Sequence, residues 1–340
     1  MSRTNETFAI ILTPEDAAVQ TILFLLLLFS GVLGNGSICF FVFRFKSLRT
    51  IPNILLTNLA TVDLLNIIIS PPLLILTLIY DVKELRTKAA ALWITLVTIL
   101  FMQLNLASIL VLVVDRFFAL AHPIRYILWR SHSKSFCAIC AVWIWSLFIT
   151  GIFFIPLHDI ELGGKSLRYY TTAYLTGIFF KKYVLPAYSI VVSVTIIVSS
   201  LTLREILKKR LRKRAENLHN LRNSGYRTTT SSRVRSARTI MIVLLAYIVC
   251  FIGRISFIFV FLSSNKPLEW YLFLDHFCIF CGSICNSFIY GVRSTEFRNA
   301  WRETFKFNKK FKSKVHDSQI KAGKVFYINS AFGKKVVVIH

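Results

Sequence analysis

The sequence predicts an all-α integral membrane protein, a seven-transmembrane-helix bundle followed by a short amphipathic helix lying in the membrane interface. Three observations carry this. The 340 residues are 55% hydrophobic and only 17% charged, where a soluble domain carries about 25% charge. The apolar residues gather in seven blocks, each long enough to cross the roughly 30 Å of bilayer hydrocarbon. The basic residues gather between the blocks, and mostly on one side.

Taken in order, the blocks cover 18–43, 53–80, 89–114, 136–157, 175–203, 239–262 and 269–291. Helix is the element for each, because hydrocarbon offers the backbone no outside hydrogen-bond partner. No run alternates in the ten-residue manner of an outer-membrane barrel. The first block is too long for a signal-peptide core and no small-residue cleavage site follows it.

Orientation follows from Lys and Arg. Of the 41, the connectors 44–50, 116–135, 204–238 and 292–340 hold 31, the opposite set holds 9, and the remaining one is Arg254. The rich side is cytoplasmic by the positive-inside rule. The chain then divides into an extracellular N-terminus (1–17), a transmembrane domain (18–293), an interfacial helix (294–306) and a basic cytoplasmic tail (307–340). Asn5-Glu6-Thr7 is a glycosylation acceptor on the outer side. The expected location is the plasma membrane, multi-pass.

A net charge of +25 would point to nucleic acid in a soluble protein. Here the basic residues flank apolar blocks, which points to anionic inner-leaflet lipids at about 1 kcal/mol per charge and excludes nucleic acid as the partner. The run 208–214 reads either as a contact surface for a cytoplasmic partner or as a solvated topology signal. After the seventh block, Phe297, Ala300, Trp301, Thr304 and Phe305 share one helical face and Arg298, Arg302, Glu303 and Lys306 the other, the pattern of an interfacial helix.

All seven cysteines lie inside apolar blocks, so no outer-loop disulfide is expected. Cys278, Cys281 and Cys285 follow a spacing that invites a metal. A closed site needs four ligands and an apolar helix disfavours thiolates, so these read as packing and no metal site is expected. No nucleophile–base constellation or phosphate-binding loop appears, and no enzyme activity is expected.

Polar residues at membrane depth carry the chemistry. Asn35, Asp63 and Asn286 fall in spans one, two and seven. A carboxylate there costs about 2.5–3.5 kcal/mol on insertion scales and must face the bundle interior. It reads either as an interhelical hydrogen-bond network or as a cation or proton site. Asp115-Arg116 at the inner end of span three reads either as an interface anchor or as a switch that trades partners.

Together these residues form an order. Gly34-Asn35 is followed by Asn58-Leu59-Ala60-Thr61-Val62-Asp63 and Pro72, then by Asp115-Arg116-Phe117 and Pro123, Trp143 and Trp145, and Pro186. The series ends with Asn286-Ser287-Phe288-Ile289-Tyr290 and Phe297. This resembles the rhodopsin-like (class A) G-protein-coupled receptors over residues 18–306, and the span-seven exit is similar to that of melanocortin and lysophospholipid receptors. The resemblance implies an extracellular ligand in the bundle and a heterotrimeric G protein inside. It makes Asp115, Arg116, Asn286 and Tyr290 the activation switch. Asn35, Asp63, Ser283 and Asn286 become the polar network, which in the family holds an allosteric sodium ion; no other cofactor is implied. Thr98, Met102, Phe251, Arg254, Asp275, His276 and Phe280 would line the ligand cavity.

Departures narrow the reading. Ala91 stands where the family has its loop-anchoring cysteine, Gly253 and Ser287 replace the prolines of spans six and seven, and Arg233 stands where an acid often restrains the span-three arginine. Thr98 occupies the position of the amine receptors' aspartate and Phe280 that of the opsins' lysine, so the expected ligand is neither a monoamine nor retinal. Arg254, deep in span six, implies an acidic small molecule, lipid or peptide, or else an internal partner such as Asp275. A membrane transporter and a receptor-like scaffold with poor coupling are the alternatives. A transporter usually shows internal repeats, and none is visible.

Overall fold

The structure is a computed structural model that describes residues 13–80, 82–85, 87–158, 185–219, 269–304, 325–330 and 333–338, and in the sixth span positions 239, 242, 245, 246, 249, 250, 252, 253 and 256. The transmembrane unit contains α1 (Pro14–Arg44), α2 (Ile51–Leu74), α3 (Lys88–Ala121), the short α4 (Pro123–Trp129), α5 (His132–His158), α6 (Leu185–His219) and α7 (Glu269–Arg293). Every described position of the sixth span is also helical. Among the described residues six helices are long and apolar enough to cross a membrane.

Local chemistry sets the ends. Thr13 caps α1 by accepting from the Asp16 amide, with Pro14 in the first turn, where its missing N–H costs nothing. Thr87 caps α3 in the same way. Pro71 and Pro72 lie inside α2 and remove two ladder donors. The helix passes into a π-turn over Ile75–Ile79, closed by the Tyr80 amide on Ile75 O at 3.0 Å, a common response to a broken ladder.

Two helices outrun their apolar blocks. Span three is expected to end at 114, yet α3 continues to Ala121, because nothing in Phe117-Phe118-Ala119-Leu120-Ala121 breaks a helix before His122-Pro123. Span five is expected to end at 203, yet α6 continues to His219. Residues 204–219 hold Leu, Lys, Arg, Glu and Ala without Gly or Pro, and these sustain helix once water replaces lipid.

Packing is inverted relative to a soluble protein. Asn35 and Asp63 are fully buried. Ile22, Leu26, Phe29, Leu33 and Phe40 face outward along one side of α1, and Phe136, Ile144, Leu147 and Phe148 do so on α5. An apolar exterior around a polar interior is what a hydrocarbon solvent selects. In the sixth span, Leu245, Val249, Ile252 and Ser256 are exposed while Ile242, Ala246, Cys250 and Gly253 are half-buried, so its inward face is defined.

α3 packs against α2, α5 and α6, and α1 packs against α2 and α7. Glycine allows the last two contacts. A Cβ on Gly31 would overlap Ile67 Cδ1 of α2, and one on Gly34 would overlap Ser287 Oγ of α7. Phe24 of α1 meets Phe273 and Phe280 of α7 at ring separations of 4.9 and 5.8 Å, within the favourable range for aromatic pairs.

Residues 295–340 form a separate unit. Its helix α8 covers 295–304, with Phe297 and Ala300 buried and Arg298, Arg302 and Glu303 exposed. Trp301, expected on the apolar face, is 50% exposed. Beyond it, β1 (Val325–Ser330) and β2 (Gly333–Val338) pair antiparallel, Val325 opposite Val338 and Ser330 opposite Gly333. The predicted basic tail therefore contains a hairpin, rich in the β-branched residues that favour strands.

Candidate functional site

The buried polar centre joins α1, α2, α3 and α7. Asp63 Oδ2 accepts from Asn286 Nδ2 at 3.1 Å, and Asp63 Oδ1 accepts from Asn105 Nδ2. Asn105 Nδ2 also lies 3.5 Å from Ser283 Oγ, and Asn35 Nδ2 lies 3.5 Å from Ser283 O. Asn35, Asp63, Ser283 and Asn286 thus converge as their polarity at membrane depth requires. Both carboxylate oxygens are met by amide donors, which offsets the desolvation of the charge.

Asn105 is the member that sequence reasoning missed. A signal was present: Thr98, Met102 and Asn105 stand at i, i+4 and i+7 of α3, one face of a helix. Assigning Thr98 and Met102 to the bundle interior therefore assigns Asn105 there too, two turns deeper.

The set fits a hard cation. Asn35 Oδ1, Asn105 Oδ1 and Asn286 Oδ1 are buried and make no hydrogen bond among the described residues. With Asp63 and Ser283 Oγ they form an all-oxygen donor set of the kind such ions prefer.

A second polar tie lies beside it. Asn58 Oδ1 of α2 accepts from Trp143 Nε1 of α5 at 3.0 Å, and Asn58 Nδ2 donates to Ser108 Oγ of α3 at 2.9 Å. The landmark Asn58 and Trp143 are one three-helix clasp.

At the inner end of α3, Asp115 holds two neighbours. Its Oδ2 accepts from Arg116 Nε at 2.9 Å and from Arg116 Nη2, and its Oδ1 accepts from Tyr126 Oη of α4 at 2.8 Å. The Arg116 and Asp115 side chains are only 6% and 11% exposed, so water screens the pair little. Burial, with the Asp115 carboxylate next, pushes the Tyr126 hydroxyl up to about 12, keeping it a neutral donor. Tyr126, absent from the sequence-level site, enters because Pro123 starts α4 two residues past the end of α3. Tyr290 is buried, and its hydroxyl makes no hydrogen bond among the described residues.

The basic extension of α6 is partly structural. Lys209 Nζ donates to Leu120 O in the last turn of α3, a favoured place for a cation, and Lys208 pairs with Glu205 at 3.1 Å.

The expected cavity residues are placed unevenly. Thr98 and Met102 are half-buried, and Thr98 Oγ1 donates to Ile94 O at 2.9 Å. Asp275 and His276 are buried, with Asp275 Oδ2 and His276 Nδ1 3.9 Å apart. Phe280 is 1% exposed and packs on Phe24 in the seam between α1 and α7. Phe251, Arg254, Arg233 and Asn5 lie outside the described residues.

The family model "7 transmembrane receptor (rhodopsin family)" matches residues 34–290. Thyrotropin-releasing hormone receptors of Gallus gallus and Homo sapiens are 26% and 27% identical, over 86% and 85% of this chain and 79% and 78% of theirs. Somatostatin receptor type 5 of Rattus norvegicus is 28% identical over 39% of this chain and 37% of its own. None of these is a melanocortin or lysophospholipid receptor, the groups that the span-seven exit resembles. The match to the family model covers all the polar sites described above, and the chain belongs to the rhodopsin-like (class A) family of seven-transmembrane, G-protein-coupled receptors.

Proposed function

We propose that this receptor binds an extracellular ligand in the outer half of the bundle and activates a heterotrimeric G protein at its inner end, with its N-terminus outside. The observation that carries the reading is the Asp115–Arg116–Tyr126 latch. A buried arginine held by a carboxylate at a helix end is a two-position element that a cytoplasmic partner can bias. In the resting arrangement Asp115 neutralises Arg116. In the signalling arrangement Arg116 leaves it, and the buried Tyr290 hydroxyl is available as a new partner. The excess of Lys and Arg in alternate connectors supports the orientation.

The ligand we infer carries an acidic group that pairs with Arg254, and is neither a monoamine nor retinal. Relatives across most of the chain are named as receptors for thyrotropin-releasing hormone, which accords with a hormone-like extracellular ligand. Asp63, Ser283 and the free amide oxygens of Asn35, Asn105 and Asn286 would hold a sodium ion. When bound, the ion supplies positive charge that neutralises the carboxylate. Asp63 orients the amides of Asn105 and Asn286 and so ties α3 to α7.

The test is nucleotide exchange on each class of heterotrimer by cells or membranes bearing the chain. Exchange lost with Arg116→Ala at equal surface level supports the reading. Transport of a solute with no exchange on any class would replace it.

A further inference from the structure

The short helix α4 leaves an apolar face uncovered at the foot of α5. Ile124, Ile127 and Leu128 stand at i, i+3 and i+4, one face of α4, and are 75%, 50% and 80% exposed. Tyr126, on the opposite side, donates to Asp115, so α4 is fixed with its apolar face outward. Two cations border that face. Lys134 Nζ lies 4.2 Å from the centroid of the exposed Trp129 ring, and Arg130 Cζ lies 6.0 Å from that of Tyr126, both within cation–π reach. Ser131 Oγ, accepting from the Lys134 amide at 3.2 Å, fixes the turn between them. The rings place the two charges without neutralising them. From 116 to 158 the chain holds no Asp or Glu.

We propose that this foot binds an anionic phospholipid, its phosphate between Arg130 and Lys134 and its acyl chain along Leu128 and Phe136, and that the bound lipid steadies the Asp115 latch. Continuity selects lipid as the occupant. Past Lys134 the exposed surface runs on as Phe136, Ile144, Leu147 and Phe148, the lipid-facing side of α5. A tryptophan paired with a lysine where such a face ends is the pattern of a membrane–water boundary. Charge selects an anionic headgroup, because Arg125, Arg130 and Lys134 have no acid beside them in this stretch. Each cation near such a surface strengthens binding roughly fivefold.

The effect on the latch follows from the size of α4. Its seven residues are too few to hold a helix alone, so its order depends on what it packs against. Lipid over Leu128 and Trp129 supplies that neighbour, and a steadied α4 keeps Tyr126 Oη on Asp115 at 2.8 Å. Anionic lipid therefore favours the resting arrangement. This half rests on the proposed function; the binding of lipid does not.

The experiment uses the full chain in nanodiscs doped with photoreactive phosphatidylserine or photoreactive phosphatidylcholine, the labelled peptides being mapped by mass. The serine-to-choline labelling ratio is expected to be several-fold higher at 124–137 than at 144–148. Arg130→Gln and Lys134→Gln each lower it roughly fivefold, Lys134→Arg keeps it, and excess glycerophosphoserine does not compete. Equal ratios at the two segments, or a ratio unmoved by Lys134→Gln, overturn the site. Competition by glycerophosphoserine would make it a site for a soluble phosphate and overturn the lipid. In parallel, ligand-free nucleotide exchange falls roughly fivefold when phosphatidylserine is added to phosphatidylcholine nanodiscs, and falls less in Lys134→Gln and in Tyr126→Phe. Labelling with an equal fall in native chain and Lys134→Gln, or with no fall, overturns the restraint. Absence of exchange in every membrane counts against the receptor reading alone, because the labelling is still read by mass.

Discussion

Asp115→Asn isolates the latch, because the substitution keeps shape and removes charge. Asp115 receives Arg116 Nε at 2.9 Å, Arg116 Nη2, and Tyr126 Oη at 2.8 Å. A hydrogen bond to a charged group contributes about 1.5–3 kcal/mol. Exposed ion pairs fall to about 0–1 kcal/mol through screening, but these side chains are 6% and 11% exposed, so most of the value stands. An asparagine oxygen still accepts one of the bonds, which puts the loss from the resting arrangement at about 1.5–2 kcal/mol. At about 1.4 kcal/mol per factor of ten, the ratio of signalling to resting receptor rises roughly 10- to 30-fold. The assay is ligand-free second-messenger output, normalised to surface receptor by antibody. Unchanged or lower output at equal surface level would show that the Asp115 pair does not hold the resting state.

Other consequences follow from the same geometry. Tyr126→Phe removes one neutral donor from Asp115, about 1 kcal/mol, and is expected to raise ligand-free output by less than Asp115→Asn; an equal or larger rise would show Tyr126 acting elsewhere. Asn105→Leu leaves Asp63 Oδ1 without its donor and lowers thermal stability in detergent by about 1–3 kcal/mol. In an Asp63→Asn background the cost shrinks, and an undiminished cost would mean the two residues are not coupled. Sodium chloride raises that stability above an equal concentration of choline chloride in the native chain but not in Asp63→Asn; no difference in the native chain would remove the ion. Arg254→Gln weakens agonist potency by orders of magnitude with surface level kept, consistent with about 2–5 kcal/mol for a desolvated charge pair, whereas equal loss of surface expression in Arg254→Gln and Asp275→Asn would mark a structural pair.

Much of this was legible because lipid leaves few options. Asp63 in an apolar run must turn inward and be hydrogen-bonded, so its partners had to be other deep polar residues; Asn286 is one, and Asn35 and Ser283 stand beside it in the same network. Asn105 escaped because an uncharged amide in a long helix costs little enough to pass as ordinary. Gly31 and Gly34 look like any membrane glycines until Ile67 and Ser287 are seen against them. α3 and α6 run past the apolar blocks of spans three and five because hydropathy marks where lipid stops, while helix propensity decides where helix stops. The tail hairpin was hidden by the basic composition around its valines. Tyr126 could not be read from spacing alone, since it reaches Asp115 only once α4 has folded back from His122.

The central claim is that the chain is a receptor whose inner end drives G-protein exchange through Arg116. The direct measurement is guanine-nucleotide exchange by the purified chain in lipid nanodiscs, with one heterotrimer of each class and no ligand, for the native chain, Asp115→Asn and Arg116→Ala. The account predicts exchange on at least one class, raised by Asp115→Asn and abolished by Arg116→Ala. Exchange on no class by folded Asp115→Asn protein, or exchange that survives Arg116→Ala, would contradict it.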